Sequence, residues 1–333
     1  MCTSIAMKTD HFYFGRNMDI EYEFGARVVV TPRNYPFQFR RAGEMKTHYA
    51  MIGMATVISG YPLYAEAVNE KGLCIAGLNF PGNAYYSTVL DSSKANISPF
   101  ELTPWLLGRC ANLAEARKLL ETTSLVSIPF SEKVPLSPLH WHIADKTGSL
   151  VLEATSTGMH LYENPMGILT NNPPFDFHVQ NVCQYMNLTP RQPDNCFHTR
   201  ASLKPFSLGM GSIGLPGDFS SASRFVKASY LLLNSTIKPD DESGLAQFFH
   251  LLASVSMVRG AVIVPDGRFE ITTYSCCTDV DRGIYYYTTY TNQQITSVEL
   301  HRENLDSAAL IEYPLRTAQQ IFQERQPCKR NAG

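Results

Sequence analysis

The sequence contains no apolar run approaching the roughly 18 residues that a membrane-spanning helix needs. Its first residues lack the basic stretch and apolar core of a secretory leader. Together these absences predict a cytoplasmic protein with no membrane partner. Blocks of like charge are also missing. The 28 Lys and Arg residues nearly balance the 30 Asp and Glu residues, for a formal net charge of −2. That balance argues against nucleic acid or an anionic membrane surface as the main partner. The eight cysteines (Cys2, Cys74, Cys110, Cys183, Cys196, Cys276, Cys277 and Cys328) include no CxxC pair and no metal-ligand spacing. Neighbours such as Cys276 and Cys277 face opposite sides of a strand and make a poor disulfide. In a reducing compartment most of these cysteines are small buried hydrophobes, and the sequons at Asn187 and Asn234 are chance matches. No metal or cofactor is expected. The glycines at Gly209, Gly211, Gly214 and Gly217 lack both the GK[ST] ending and the GxGxxG order of a phosphate loop.

What the sequence does contain is ample core-forming material. The chain has 333 residues, 44% hydrophobic and 17% charged, which are globular values. No linker divides it, so one domain over residues 1–325 is expected, with 326–333 a disordered tail. The most informative stretch is the first, Met1-Cys2-Thr3-Ser4-Ile5-Ala6-Met7. Cysteine is small enough for methionine aminopeptidase to remove the methionine before it. Cys2 would then carry an α-amine of pKa about 7.7–8.0 beside a thiol of about 8.5, close enough for the amine to take the thiol's proton. Such a residue is a nucleophile with its own base. On its own, a chance cysteine fraying in solvent explains Cys2 better. The apolar residues that follow weaken that reading, because Thr3 to Met7 reads as a strand.

Cys2 to Met7 and His11 to Gly15 form a predicted hairpin across Lys8-Thr9-Asp10, followed by Arg16-Asn17-Met18-Asp19. Further strands are expected at 26–31, 49–58 and 72–80, with turns at 59–62 and 69–72. Ser98-Pro99-Phe100-Glu101 has the pattern of a capping box and opens a helix. Asn112 opens a second helix, running to about Glu121. Residues 127–137 hold two prolines, with a third just beyond at Pro138, and form an irregular loop carrying Ile128 and Phe130. Strands 139–144 and 149–154 make a hairpin that places His140 and His142 on one face. With no third ligand nearby, these are satisfied strand histidines. A strand running into a turn is expected at 167–173, then helices at about 175–187, 218–233 and 243–254, and strands at 269–276, 284–290 and 295–300. Strands and helices come in blocks without βαβ alternation, which favours two mainly antiparallel sheets with helices outside over a parallel doubly wound sheet.

The assembled pieces resemble the choloylglycine hydrolase family of N-terminal-nucleophile hydrolases. They are Met1-Cys2-Thr3, Gly15-Arg16-Asn17-Met18-Asp19-Ile20-Glu21-Tyr22, Asn69-Glu70-Lys71-Gly72-Leu73 and Gly77-Leu78-Asn79-Phe80-Pro81. Leu169-Thr170-Asn171-Asn172-Pro173, Gly214-Leu215-Pro216-Gly217-Asp218-Phe219 and Ala222-Ser223-Arg224-Phe225 complete the ordered set. The resemblance implies an αββα four-layer sandwich and a homotetramer. The activity it implies is cleavage of the amide between a bile acid and glycine or taurine, as in bacterial bile salt hydrolases.

By resemblance Cys2 is the nucleophile and Asp19 holds its α-amine. Arg16 and Arg224 lie near the thiol, Asn171 supplies the oxyanion hole, and Asn79 is its partner near the scissile carbonyl. The chemistry is consistent: a guanidinium favours thiolate, and an amide donates without changing charge. Taken singly, these residues are as well explained by surface arginines and turn-forming Asp and Asn. Asn172 stands where many relatives have Ser, and the motif order makes Asn171 the donor. Met18, Ile58, Asn79, Ile128 and Phe130 would line the acyl pocket. The rivals are a penicillin V acylase, an acyl-homoserine-lactone hydrolase, a non-catalytic sterol-binding protein and a cysteine-rich secreted module. Related acylases tend to have Tyr where this chain has Asn79.

Overall fold

The computed structural model describes residues 1–238 and 241–324. The tail expected at 326–333 lies outside them. In chain order the main strands are β1 (Cys2–Lys8), β2 (Phe12–Ile20), β3 (Arg27–Thr31), β4 (Met51–Ile58), β5 (Tyr61–Asn69) and β6 (Cys74–Asn79). Next come helices α1 (Leu102–Arg109) and α2 (Leu113–Glu121), then β7 (Leu139–Asp145), β8 (Gly148–Thr155), β9 (Gly158–Glu163) and β10 (Ile168–Leu169). Helices α3 (Phe175–Val182), α4 (Ser221–Leu233) and α5 (Asp241–Ala253) precede β11 (Ile271–Asp279), β12 (Ile284–Thr289), β13 (Asn292–Glu299) and β14 (Ile311–Pro314).

The strands form a six-stranded sheet in the order β10-β1-β2-β11-β12-β13 and an eight-stranded sheet in the order β9-β8-β7-β6-β5-β4-β3-β14. All pairings within the two sheets are antiparallel. Period-2 patterning explains how they stack. In β8, Leu150, Leu152 and Ala154 join Trp105, Leu106 and Leu107 of α1 and Leu113, Ala116 and Leu120 of α2. Val151, between them, joins a core shared by both sheets with Ile52, Met54, Ala76 and Leu78. Phe225, Phe248 and Leu252 bring α4 and α5 into that core from the far side of the six-stranded sheet. The result is the expected αββα sandwich.

Three strands of the two large sheets escape the sequence reading. β9 and β14 are outer strands of the eight-stranded sheet. β5 is the instructive one, because its Pro62 and Glu66 disguise a strand whose second half is buried. Ser59 (φ 50°) and Gly60 (φ 78°) supply the two positive φ values that a tight β4–β5 hairpin turn requires. The expected capping box is present, with the Glu101 carboxylate accepting Ser98 N–H at 2.9 Å. Asn112 caps α2 as expected, its Oδ1 accepting Glu115 N–H at 3.0 Å. The helix expected at 175–187 is shorter, α3 giving way to a 3-10 turn at Cys183–Tyr185.

Candidate active site

β1 opens on Cys2, which pairs directly with Met18 on β2, just as Ser4 pairs with Arg16. Cys2, Met18 and Arg16 therefore share the face that looks into the gap between the sheets. Cys2 is 4% exposed and its Sγ lies 3.9 Å from Met18 Sδ. Arg16 is fully buried, and its Nη2 donates to the same Sδ at 3.7 Å. Its Nη1 donates to the Gly77 carbonyl at 2.5 Å and the Ala65 carbonyl at 3.3 Å, reaching across to the eight-stranded sheet. Burial works against the Arg16 charge, but Cys2, Tyr274 and Glu66 nearby outweigh it and hold the guanidinium pKa above its ordinary value.

Thr3, Asn17 and Asp19 take the opposite face, toward the helices. Arg224, on the second turn of α4, is 1% exposed and reaches this edge. Its Nη1 donates to the Cys2 carbonyl at 2.5 Å and to Thr3 Oγ1 at 2.6 Å, and its Nη2 to Asn171 Oδ1 at 2.8 Å. Asn171 Oδ1 also accepts Cys2 N–H at 2.8 Å, while its Nδ2 donates to the Asn79 carbonyl at 2.8 Å. Two donors on Oδ1 settle the orientation of the amide, and Nδ2 keeps a second N–H in hand.

The chain after β10 is held so that this side chain cannot drift. Asn171 N–H donates to Ser221 Oγ at 2.8 Å, and the Asn171 carbonyl meets His178 Nε2 at 2.8 Å. Burial pushes His178 down to about 4, so a neutral imidazole donates from Nε2. His140 backs the preceding residue, its Nε2 2.9 Å from the Thr170 carbonyl and its Nδ1 3.0 Å from Glu153. His142 sits between Ser4 Oγ at 2.9 Å and Ser149 Oγ at 2.5 Å. Both strand histidines are therefore satisfied within the core. Ser221, His178 and Glu153 carry no motif, and only the folded chain brings them here.

Asn172 turns away from Cys2, donating to the Pro81 carbonyl at 2.6 Å. Of the two adjacent amides, Asn171 is the one beside Cys2. Asp19 is less simply placed. With Met1 attached, the Cys2 nitrogen is a peptide amide, and the Met1 amine donates to the Asp19 backbone carbonyl at 2.7 Å and to the Glu270 carboxylate. The Asp19 side chain does not reach either nitrogen. A register break between Thr272 and Tyr274 aims the Thr272 hydroxyl at Asp19 Oδ1, 2.6 Å away. Asp19 Oδ2 is buried with no partner among the described residues. Burial raises the Asp19 pKa, opposed by Arg224 and the Thr272 bond.

Of the expected pocket residues, Met18 touches the Cys2 sulfur. Asn79 has an exposed side chain and lends its carbonyl to Asn171. Ile58 pairs with Tyr61 across the β4–β5 turn, and the Tyr61 ring meets Phe130 at 5.7 Å, bringing Ile58 and Phe130 to one corner. Ile128 is half-buried in the same loop as Phe130. A separate cavity of about 400 Å³ lies between α5 and strands β11 and β12, lined by Phe249, Met257, Thr272, Ser275 and Tyr290 among others. It is on the helix side of the sheet, away from the Cys2 thiol.

A buried thiol at the start of a strand, flanked by two buried guanidiniums and an oriented amide, is an arrangement that can support acyl transfer. Comparison with known proteins agrees. Residues 2–313 match the family model of linear amide C–N hydrolases, choloylglycine hydrolase family. A bile salt hydrolase/transferase of Lactiplantibacillus plantarum is 48% identical, over 97% of this chain and 99% of its own. A crystal structure of a conjugated bile acid hydrolase variant from Clostridium perfringens superposes with a TM-score of 0.90 at 38% identity, covering 97% of this chain and 100% of that one. A penicillin V acylase from Agrobacterium tumefaciens, at 17% identity and TM-score 0.75 over 95% of this chain and 92% of its own, shares the fold. The sandwich, the buried N-terminal thiol and these likenesses together show that the chain belongs to the choloylglycine hydrolase family of linear amide C–N hydrolases.

Proposed function

We propose that the enzyme cleaves the amide joining a bile acid to glycine or taurine, with Cys2 as nucleophile once Met1 has been removed. The observation that carries this reading is the Cys2 environment: a buried thiol beside Arg16 and Met18, with Asn171 and Arg224 on its backbone. The 48% identity to a bile salt hydrolase/transferase over nearly the whole chain supports the substrate class.

Removal of Met1 turns the Cys2 nitrogen into an amine. It takes the thiol proton and Sγ attacks the amide carbon. The oxyanion is met by the free N–H of Asn171 Nδ2, beside Asn79. The resulting ammonium then protonates the leaving nitrogen, the C–N bond breaks and a thioester remains on Cys2. Water, deprotonated by the same amine, attacks the thioester and releases the free bile acid. Asp19 holds the ammonium, and its unpartnered buried Oδ2 is the observation that supports this role. The Arg16 and Arg224 guanidiniums favour the thiolate. Met18, Ile58, Asn79, Ile128 and Phe130 receive the steroid. A homotetramer follows from the family resemblance, and the exposed apolar side chains of Met186, Phe197, Phe206 and Leu208 are consistent with self-association.

The test is purified protein offered glycine conjugates, taurine conjugates and penicillin V side by side, reading the released amine. Conjugated bile salts should be cleaved, Cys2→Ala should release nothing, and Cys2→Ser should be far slower because a hydroxyl is much less ionised. Turnover of penicillin V alone would transfer the reading to the acylases. Wild-type turnover by Cys2→Ala would remove Cys2 from the mechanism.

A further inference from the structure

Glu66 is a carboxylate 2% exposed in the gap between the two sheets, on a strand whose neighbours across the pairing are Met54 and Ala76. Burying a charge there is costly unless it is paired and hydrogen-bonded. Glu66 is both. Tyr285 donates to its Oε1 at 2.7 Å and Tyr274 to its Oε2 at 2.8 Å, with Cys276 Sγ 3.5 Å from Oε1. Arg16 Nε lies 3.8 Å from Oε2. Among the described residues, four titratable groups face it: Arg16 from β2, Tyr274 and Cys276 from β11, and Tyr285 from β12. The eight-stranded sheet on which it sits adds the Ala65 and Gly77 carbonyls that take Arg16 Nη1.

A chain of contacts therefore runs from the Glu66 carboxylate through the Arg16 guanidinium and Met18 Sδ to Cys2 Sγ. The two tyrosines hold the carboxylate from the six-stranded sheet, so the arginine is aimed by a fixed counter-charge that spans both sheets. We infer that Glu66 is a positioning residue of the hydrolase: held by Tyr274 and Tyr285, it orients Arg16 and partly offsets its charge, and so sets the ionisation of the Cys2 thiol.

This inference rests on Cys2 being the nucleophile, but it is read without any substrate. The experiment follows alkylation of the processed enzyme by iodoacetamide against pH, resolving the N-terminal peptide by mass spectrometry so that the exposed Cys183 and Cys196 do not interfere. Glu66→Gln keeps the shape and one acceptor oxygen while removing the charge, the tyrosine that faces the new NH₂ turning its hydroxyl to accept. With its counter-charge gone, Arg16 favours thiolate more strongly, and the midpoint of Cys2 alkylation should fall by about one pH unit. Glu66→Asp, which keeps the charge, should stay near the wild-type midpoint.

In an Arg16→Gln background the added Glu66→Gln change should move nothing, because the effect runs through the guanidinium. If the single variants fold poorly, R16Q/E66Q should melt higher than either, since the pair leaves no uncompensated buried charge. An unchanged midpoint in Glu66→Gln, or an equal shift in the Arg16→Gln background, would overturn the inference. So would a double variant no more stable than the singles. None of these outcomes depends on bile-salt turnover, so failure here and failure of the hydrolase reading are told apart by whether Cys2→Ala still hydrolyses substrate.

Discussion

Asn171 and Asn172 are chemically identical neighbours, and the fold gives them different work. Asn171 faces Cys2 and Arg224, held by Ser221 and His178, while Asn172 is tied to the Pro81 carbonyl. Asn171→Ala should therefore lower kcat by about 10²–10³, the usual cost of losing an oxyanion donor. Asn172→Ala should change it only a few-fold. Steady-state rates on one bile-salt conjugate decide between them. His178 carries a second expectation. Burial holds its pKa at about 4, against an ordinary 6.5, so between those values the unfolded chain binds a proton that the folded one does not. Its contribution to stability is intact above pH 6.5 and is lost as pH falls toward 4. That loss amounts to about 3 kcal/mol. His142, held at about 3, adds a loss of the same sign. The raised Asp19 and Glu66 act with the opposite sign, so the difference between variants is the clean measure. Urea midpoints taken from pH 7 to pH 4.5 should fall less steeply in His178→Gln than in the wild type.

At the scale of elements, the site depends on how closely β2 lies against β11. Gly15, immediately before Arg16, has no room for a side chain: a Cβ there would stand 1.9 Å from the Cys276 carbonyl oxygen. Gly15→Ala must push the two strands apart, at a cost of about 1–3 kcal/mol. Gly217→Ala, where no atom lies within 4 Å, should cost under about 0.5 kcal/mol. Denaturant melts of the two variants test this directly. The same strands show what was legible in the sequence. The β1–β2 hairpin could be read from alternating apolar residues and a polar turn. The ordered motifs identified Cys2, Arg16, Asn171 and Arg224, which the fold brings into direct or one-residue contact. β5 could not be read, because Glu66 looks like a solvent-facing residue until Tyr274, Tyr285 and Arg16 arrive from elsewhere in the chain to satisfy it. Ser221, His178 and Thr272 were hidden for the same reason, being ordinary residues whose value comes from partners distant in sequence. The amine-holding role of Asp19 came from resemblance alone, and with Met1 attached its carboxylate touches Thr272 and no amine.

On the scale of the whole molecule, two sheets and two helical layers bring a strand terminus into a buried space and surround it with charge. Arg16 comes from one strand, Arg224 from a helix on the opposite face, and Asn171 from the chain leaving β10. The proposed chemistry cannot run while the Cys2 nitrogen is a peptide amide, which has no basic lone pair to take the thiol proton. The proposed mechanism therefore requires an acyl group carried by a processed Cys2. The most direct measurement is acid quenching of the enzyme within milliseconds to seconds of mixing with a glycine-conjugated bile salt, followed by mass mapping of the N-terminal peptide. The expected result is a peptide that begins at Cys2 and carries the bile acyl group on its sulfur, with the unacylated form returning as substrate is exhausted. Full activity in protein that quantitatively retains Met1, with no acyl group on Cys2 at any time, would contradict it.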